Sequence, residues 1–237
     1  MDNIEYLKKY YKGNLEDAIK RLENGEPVQY IVGNQDFYGY ILKVDKRVLI
    51  PRRETEELVE EVIKRANNFN DLKIVDIGTG TGAIAISLSK ELNTKVIATD
   101  ISLDAIKVAR ENIKENNANV EILHGNMLEP LINNNVKVNI LVSNPPYIKK
   151  DERIEKIVYD NEPHLALFAN EEGIEFYRKI LENCNKILEE KFLIAFEIGQ
   201  TQGDVVRDLA YNNLKNIKVE IKKDLSGKDR MVFVYNY

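Results

Sequence analysis

From residue 72 onward, short apolar runs alternate with stretches of helical length, and this alternation restricts the possible folds more than any other feature of the sequence. The stretches of helical length predict helices at 83–92, 103–117, 173–190 and 202–213. The apolar runs predict strands at 72–77, 95–99, 120–123, 136–143, 192–198, 217–221 and 231–235. Strands that alternate with such helices build a parallel sheet with helices on both faces. We therefore predict an α/β protein with a doubly wound, seven-stranded sheet.

The last connection of the predicted sheet is too short for a crossover helix. Residues 224–230 (DLSGKDR) join the final two strands, whereas a parallel return needs about a dozen residues or more. We therefore expect the last strand of the sheet to run antiparallel to its neighbour.

Residues 1–50 do not follow this alternation and predict a small N-terminal element. Within them, 14–24 predicts a helix with Asn14 as its N-cap. Apolar and aromatic runs broken by turn residues predict a β-hairpin within 28–50. An i, i+4 apolar pattern predicts a further helix at 54–68. We expect a boundary between this element, residues 1–50, and a main domain, residues 51–237.

The composition argues against several classes of protein. The single Cys184 cannot form a disulfide framework or a multi-cysteine metal site, and with only two histidines we expect no metal centre. The formal net charge is −5, and residues 1–50 carry eight basic and eight acidic side chains, so we expect no stable nucleic-acid binding. The charged N-terminus and the lack of an apolar run of about 18 residues lead us to expect a soluble, cytoplasmic protein without a membrane partner.

A glycine-rich turn lies between the first strand of the sheet and the helix that follows it. The turn begins after Asp76 and Ile77 with the residues Gly78, Thr79, Gly80, Thr81 and Gly82, and Asp100 ends the second strand. Such a turn brings backbone N–H groups close to a ligand, and a carboxylate at the end of the second strand can accept hydrogen bonds from ribose hydroxyls. The pattern predicts a nucleoside cofactor, which on these grounds is either NAD or S-adenosylmethionine.

Two details favour S-adenosylmethionine. The loop has the spacing GxGxG, whereas a dinucleotide-binding loop usually has GxGxxG. The Asp76 carboxylate would repel a diphosphate but attract the sulfonium and amino groups of the methyl donor. We predict that Asp76, the loop Gly78–Gly82 and Asp100 bind S-adenosylmethionine.

The tetrapeptide Asn144-Pro145-Pro146-Tyr147 follows the fourth strand, at the sheet edge where ligands bind in open α/β sheets. Its prolines stiffen the segment and keep its carbonyl groups out of a helix. The Asn144 side-chain oxygen and the Pro145 carbonyl can each accept one hydrogen of a planar NH2 group, and the Tyr147 ring can stack on that group. We predict catalytic roles for Asn144, Pro145 and Tyr147, and substrate binding by these residues and Pro146. Together with the glycine loop, the tetrapeptide indicates an amino-group methyltransferase.

With these residues the sequence resembles the HemK/PrmC group of protein-(glutamine N5) methyltransferases, which modify the glutamine of the GGQ motif in peptide chain release factors. The resemblance implies a class I, Rossmann-like methyltransferase fold, S-adenosylmethionine as cofactor and a release factor as protein partner. It covers residues 27 to about 235 and rests on PVQYIVGNQDFYG (27–39), VLIPRRETEELVE (48–60), DIGTGTGAIAISL (76–88), ATDIS (98–102), SNPPYI (143–148), NEPHLAL (161–167), EIGQTQG (197–203) and DLSGKDR (224–230).

The resemblance also assigns roles to individual residues and segments. It implies that residues 51–237 are the catalytic domain and residues 1–50 a substrate-recognition element. It places Asn126 and Met127 beside the adenine of the cofactor, and Asn144 against the cofactor as well as the substrate. It also places Arg52, Glu54, Thr55 and Glu56 near the active site, although acids at these positions would equally suit the first turn of a helix.

The sequence departs from the pattern of this group at three places. Asn126 stands where the group commonly has Asp, so we expect somewhat weaker cofactor binding. Arg53 replaces the usual second proline of the IPRRETE segment. Only some 26 residues precede PVQYI, where the group has a multi-helix domain, so we expect a shortened N-terminal domain.

Two other functions remain open from the sequence. A methyltransferase for the exocyclic amine of adenine (N6) in RNA or DNA would use the same acceptor geometry, although base flipping usually requires a basic groove. A non-catalytic binding module would keep the fold without the reaction, and the intact glycine loop, Asp100 and Asn144–Tyr147 segment argue against it.

Overall fold

A computed structural model describes residues 2–237. Its helices are α1 (Asn3–Tyr10), α2 (Leu15–Glu23), α3 (Val28–Val32), α4 (Arg53–Ala66), α5 (Ala83–Glu91), α6 (Leu103–Glu115), α7 (Glu129–Asn133), α8 (Lys156–Asn161), α9 (Glu175–Asn183) and α10 (Gly203–Asn213). Its strands are β1 (Asn34–Phe37), β2 (Tyr40–Lys43), β3 (Ile74–Ile77), β4 (Val96–Asp100), β5 (Val120–His124), β6 (Val138–Ser143), β7 (Ile148–Lys149), β8 (Phe168–Ala169), β9 (Leu188–Glu197), β10 (Lys218–Lys223) and β11 (Asp229–Tyr235).

Seven of these strands form the central sheet, in the order β10-β11-β9-β6-β3-β4-β5. Strands β9, β6, β3, β4 and β5 pair in parallel, whereas β11 lies between β9 and β10 and is antiparallel to both. The predicted α/β sheet of seven strands with its last strand antiparallel is confirmed. Asp224 closes the short turn before β11 by accepting hydrogen bonds from the backbone N–H groups of Ser226 and Lys228, each at 3.0 Å.

Both faces of the sheet are buried. On β3, Val75 and Ile77 pack in one apolar cluster with residues of α9 and α10, while Ile74 packs in a second cluster with residues of α4 and α5. A strand covered on both faces needs apolar side chains at successive positions, which explains why the sequence shows continuous apolar runs there.

The prediction of a hairpin over 28–50 is only partly right. The hairpin is confined to β1 and β2, and the apolar run 28–32 forms helix α3 after Pro27. Val28 and Ile31 lie three residues apart and pack against α1 and α2, whereas Tyr30 donates from its hydroxyl to the Val48 carbonyl at 2.6 Å. Packing on both sides of this short helix outweighs the strand preference of its β-branched residues.

The predicted helix over 173–190 is wrong at its C-terminal end. Helix α9 ends at Asn183, a 3₁₀ turn spans Cys184–Lys186, and β9 begins at Leu188. The Ile187 carbonyl already accepts a hydrogen bond at 2.8 Å from the Val138 N–H at the start of β6. Pairing with the neighbouring strand therefore ends the helix, although no glycine or proline marks that point in the sequence.

The N-terminal helices form a small cluster of their own. Leu7, Ala18, Val28 and Ile31 are its buried members, and Asn14 caps α2 as predicted. The hairpin instead packs on the main core through Phe37 and Leu42. A boundary at residue 50 stays a prediction. Within residues 2–237 no helix has the length and apolar character that crossing a membrane requires.

Candidate functional site

A deep cavity opens at the carboxyl ends of β3, β4 and β6. The chain leaves β3 in one direction along the sheet towards β4 and returns on its other side at β6, and ligands of open α/β sheets bind at such a switch point. This first cavity has an open volume of about 1210 Å³, and its walls include the loop Gly78–Thr81, Asp100, Asn126, Met127 and the segment Ser143–Pro146. The structure therefore brings together most of the residues that the sequence singled out for cofactor and substrate.

The glycine loop is held by backbone hydrogen bonds. The N–H groups of Gly78 and Thr79 donate to the Thr99 carbonyl at 2.9 and 3.0 Å, which ties the loop to the end of β4. Gly80 and Gly82 have φ angles of 54° and 85°, in the left-handed region that residues other than glycine rarely adopt. The turn thus carries its backbone past the cavity and delivers it into the N-terminus of α5.

Asp100 links this loop to the second strand. Its carboxylate accepts hydrogen bonds from the Gly80 N–H and the Ser102 N–H, both at 2.8 Å, and the residue is 9% exposed. Burial raises the pKa of the Asp100 carboxyl, against the opposing effect of these backbone donors. Each oxygen still has a free lone pair at the cavity wall, so the carboxylate can accept further hydrogen bonds from a ligand.

Asp76 does not lie where the sequence placed it. Its side chain is fully buried and lies behind the loop instead of on the cavity wall, which corrects the expectation that it faces the sulfonium of a cofactor. The Thr79 hydroxyl donates to Oδ2 at 2.6 Å, whereas Oδ1 has no hydrogen-bond partner among the described residues. Burial raises the pKa of Asp76 to about 7. The side chain therefore supports the loop from within the core.

Asn126 and Met127 form part of the cavity wall after β5, and their contact with the adenine of a cofactor stays a prediction. The Asn126 amide donates to the Glu129 carboxylate at 3.3 Å, so its oxygen remains able to accept a hydrogen bond. The Met127 carbonyl accepts from the Thr99 hydroxyl at 3.0 Å, which fixes the backbone at that wall.

The segment after β6 presents two unused hydrogen-bond acceptors. Ser143 anchors it by donating from its hydroxyl to the Ile77 carbonyl at 2.7 Å. The Asn144 side chain donates from Nδ2 to the Thr55 hydroxyl oxygen at 3.1 Å. Within residues 2–237, neither the Asn144 Oδ1 atom nor the Pro145 carbonyl accepts a hydrogen bond. Two adjacent acceptors with this freedom suit a ligand that carries an NH2 group.

A second cavity meets the first at this segment. Leu49, Arg52, Asn144, Pro145 and Ala166 line both cavities, and the second is further lined by Tyr147, Ile148, Arg153, Ile154, Glu155, Val158, Leu167 and Glu197. Asn144 and Pro145 therefore stand at the junction of two chambers. A ligand in one chamber can therefore approach a ligand in the other beside these two residues.

Tyr147 lies in the second cavity, half-buried against the core. Its carbonyl accepts a hydrogen bond from Gln202 Nε2 at 2.9 Å, which holds the backbone of the tetrapeptide. Burial and the nearby Glu197 carboxylate raise the pKa of the Tyr147 hydroxyl to about 12, so the ring is neutral at physiological pH.

Three side chains at the site have no binding role in the sequence analysis, although the resemblance already places Thr55 near the active site. Glu162 is almost fully buried, accepts from Arg52 at 2.5 Å and from the Ile50 N–H at 3.1 Å, and so connects the segment before α4 to the loop after α8. Thr55 and Glu197 lie beside Asn144 and hydrogen-bond to each other at 2.5 Å. The signals that could have found them are the segments 48–60, 161–167 and 197–203, in which these residues stand.

Comparisons with known proteins agree with this geometry. The family described as "Methyltransferase small domain" matches residues 54–166. The release factor glutamine methyltransferase of Staphylococcus aureus is 42% identical over 91% of this chain and 78% of its own length. The structure of a release factor-specific protein-(glutamine-N5) methyltransferase from Alicyclobacillus acidocaldarius has a TM-score of 0.52 at 26% identity, covering 82% of this chain and 99% of that one. A Pyrococcus furiosus methyltransferase, at 18% identity and a TM-score of 0.62 over 93% of this chain and 98% of its own, shares the fold.

Proposed function

Because the chain belongs to the family of release factor glutamine methyltransferases, we propose that it transfers a methyl group from S-adenosylmethionine to the glutamine of the GGQ motif in a peptide chain release factor. The observation that carries this proposal is the junction of two cavities at Asn144 and Pro145, where two hydrogen-bond acceptors are unused. One cavity suits the methyl donor, and the other suits the side chain that accepts the methyl group.

The residues of the first cavity fit S-adenosylmethionine. The cofactor supplies an electrophilic methyl group on a sulfonium centre. The Asp100 carboxylate has acceptor capacity for ribose hydroxyls, and the loop Gly78–Gly82 offers close approach to its backbone. The Asn126 oxygen can accept from the adenine amino group, and Met127 gives that wall an apolar surface. Asp76 contributes by holding Thr79 and so the loop, without reaching the cavity.

The acceptor amide is held at the junction by Asn144 Oδ1 and the Pro145 carbonyl, each taking one N–H. An amide nitrogen is a poor nucleophile because its lone pair is delocalised. Two hydrogen-bond acceptors keep the nitrogen aligned towards the first cavity and stabilise the positive charge that develops on it during transfer. The Tyr147 ring, with its neutral hydroxyl, can stack on the flat amide from the second cavity. The proton leaves after the methyl group has been transferred, so no strong base is required beside the nitrogen.

The mouth of the second cavity suits a protein loop. Arg153 and Glu155 line it together with apolar residues, and the Arg52–Glu162 ion pair braces its wall. A substrate loop would enter there with its glutamine side chain directed at Asn144. Since a release factor acts on the ribosome, we place the reaction in the cytoplasm and expect no stable nucleic-acid complex at a net charge of −5.

The test is to incubate the purified protein with S-adenosylmethionine and a purified release factor, and to map methylation by peptide mass spectrometry. We expect one added methyl group on the GGQ glutamine, none on a release factor in which that glutamine is replaced by alanine, and a severe loss of turnover in Asn144→Ala. Intact cofactor binding without methylation of this glutamine would contradict the proposed substrate. Methylation of adenine in RNA or DNA would instead support the alternative that the sequence left open.

A further inference from the structure

A chain of two hydrogen bonds leads from Asn144 into the core. Asn144 Nδ2 donates to Thr55 Oγ1 at 3.1 Å, and Thr55 Oγ1 donates to Glu197 Oε2 at 2.5 Å. Thr55 is 4% exposed and Glu197 is 1% exposed, so solvent has little access to either. The three residues come from different parts of the fold: the first turn of α4, the end of β9 and the segment after β6.

The direction of this chain follows from the number of protons available. A threonine hydroxyl has one proton, and in its charged form the Glu197 carboxylate has no proton of its own, so the Thr55 hydroxyl donates to it. Towards Asn144 the Thr55 oxygen can therefore only accept, and the only donor on that side chain is its NH2 group. The Asn144 oxygen must then point away from Thr55, into the junction of the two cavities.

The opposite orientation of the amide would prevent binding of an NH2 group. An Asn144 side chain turned by 180° would present its own NH2 to the substrate, so that two donors would face each other. A donor without an acceptor is unfavourable, in addition to the loss of the hydrogen bond itself. The two orientations of an asparagine amide have nearly the same shape, so packing alone does not select between them.

We propose that Thr55 and Glu197 are positioning residues that hold the Asn144 amide with its oxygen towards the substrate nitrogen. This inference rests on the proposed methyl transfer to a glutamine amide. Glu197 sets the direction of the Thr55 hydroxyl, and Thr55 transmits that direction to Asn144. Charge on Glu197 also strengthens Thr55 as an acceptor, because hydrogen bonds in series polarise one another.

The surroundings of Glu197 act on its charge in opposite directions. Burial has the largest effect and, together with Glu54, raises the pKa of the Glu197 carboxyl to about 7. The hydrogen bond from Thr55, Arg230 on β11 and Arg52 before α4 favour the charged form. The Tyr177 hydroxyl donates to the backbone carbonyl of Glu197 at 2.8 Å and fixes the main chain there.

The test measures kcat, KM and the dissociation constant for the cofactor in Thr55→Val, Glu197→Leu and the double variant. Thr55→Val leaves the Asn144 NH2 group without an acceptor in the orientation that binds substrate, so the amide favours the opposite orientation and we expect kcat to fall about 10-fold. In Glu197→Leu the Thr55 proton turns to the Asn144 oxygen and occupies it, so we expect a fall of about 100-fold. The double variant removes that wrong partner, and kcat should return to the level of Thr55→Val.

Two controls separate positioning from damage to the fold. Thr55→Ser keeps the hydroxyl and should recover most of the kcat that Thr55→Val loses. Glu61→Leu removes a different buried carboxylate, which lies on α4, pairs with Lys64 and Lys222 and lines neither cavity. It should lower Tm and leave kcat unchanged. The cofactor dissociation constant should stay within about twofold of wild type in every variant.

A double variant whose loss equals the product of the two single losses would overturn the inference, as would single variants with wild-type kcat. If the wild-type protein methylates no release factor glutamine, the proposed function fails, and the hydrogen-bond chain is then tested separately by hydrogen–deuterium exchange followed by NMR. In ¹⁵N-labelled protein the Asn144 Nδ2 proton that donates to Thr55 should exchange with deuterium more slowly in wild type than in Thr55→Val. Equal exchange rates would reject the chain itself.

Discussion

Replacement of Asp76 by asparagine should change how the stability of the protein depends on pH. The Asp76 carboxyl is fully buried, and burial raises its pKa from 3.8 to about 7. In the unfolded chain the group ionises near its ordinary pKa, so between about pH 4 and 7 the folded state holds the proton more tightly. The contribution of Asp76 to the free energy of unfolding therefore falls as pH rises through this range and levels off above pH 7.

The size of this effect follows from the shift in pKa. At about 1.36 kcal/mol per pKa unit, the shift corresponds to about 4 kcal/mol in total, of which about 3 kcal/mol falls between pH 5 and 8. Asp76→Asn has no proton to lose, so its stability lacks this component. The free energy of unfolding of the variant relative to wild type should therefore rise by about 3 kcal/mol between pH 5 and pH 8.

The assay is urea unfolding of both proteins without cofactor at pH 5, 6, 7 and 8, with the difference between them compared at each pH. Other carboxylates cancel in that difference because they are common to both proteins. Asp71→Asn is the matched control, since its side chain on the approach to β3 is 80% exposed, and its difference from wild type should stay nearly constant. Parallel pH curves for Asp76→Asn and wild type would refute the reasoning.

Three further outcomes are expected. Gly82→Ala places a Cβ at a φ of 85° and 3.2 Å from Ile86 Cδ1, and urea unfolding should show a free energy of unfolding lower by about 1–2 kcal/mol. Gly39→Ala is the control, because Gly39 has a similar φ but open space around it; a smaller loss of stability in Gly82→Ala than in Gly39→Ala would contradict the contact. Asp100→Asn removes the negative charge that accepts hydrogen bonds from the Gly80 and Ser102 N–H groups. Calorimetry should show an affinity for the cofactor that is weaker by about 10–100-fold, whereas an unchanged affinity would show that Asp100 does not bind the cofactor. The charged Glu197 carboxylate can only accept from the Thr55 hydroxyl, whereas the neutral carboxyl group can also donate to it and reverse the chain. Burial raises the pKa of the Glu197 carboxyl to about 7, so kcat should rise between pH 6 and 8 as the group ionises, and this rise should be absent in Thr55→Val. A flat wild-type profile would contradict that role.

Much of the fold could be read from the sequence because its signals are local or depend on burial alone. The strand at 120–123 and the helix at 83–92 are found in the structure within one residue of the predicted bounds. The Asn14 cap was predicted correctly since a cap depends on neighbours two and three residues away. The antiparallel last strand followed from the length of the 224–230 connection.

The errors arose where contacts distant in sequence outweighed local preference. The run 28–32 has the composition of a strand, yet it forms α3 because α1, α2 and the Val48 carbonyl surround it. Helix α9 ends before the predicted point since β6 provides strand pairing for Ile187. Neither partner is visible in the local sequence.

The candidate site divides in the same way. The sequence by itself determined which residues meet at the edge of the sheet, because parallel strands direct their carboxyl ends, and with them Gly78–Gly82, Asp100 and Asn144–Tyr147, to one place. Only the tertiary structure decided that Asp76 lies behind the loop and that Thr55 and Glu197 orient Asn144. Burial depth and the direction of a hydrogen bond depend on side chains from separate elements, 89 residues apart for Thr55 and Asn144 and 142 for Thr55 and Glu197. The physical reason is that a pattern along the chain specifies which element a residue belongs to, whereas the partner of a buried polar group is specified only by how those elements pack.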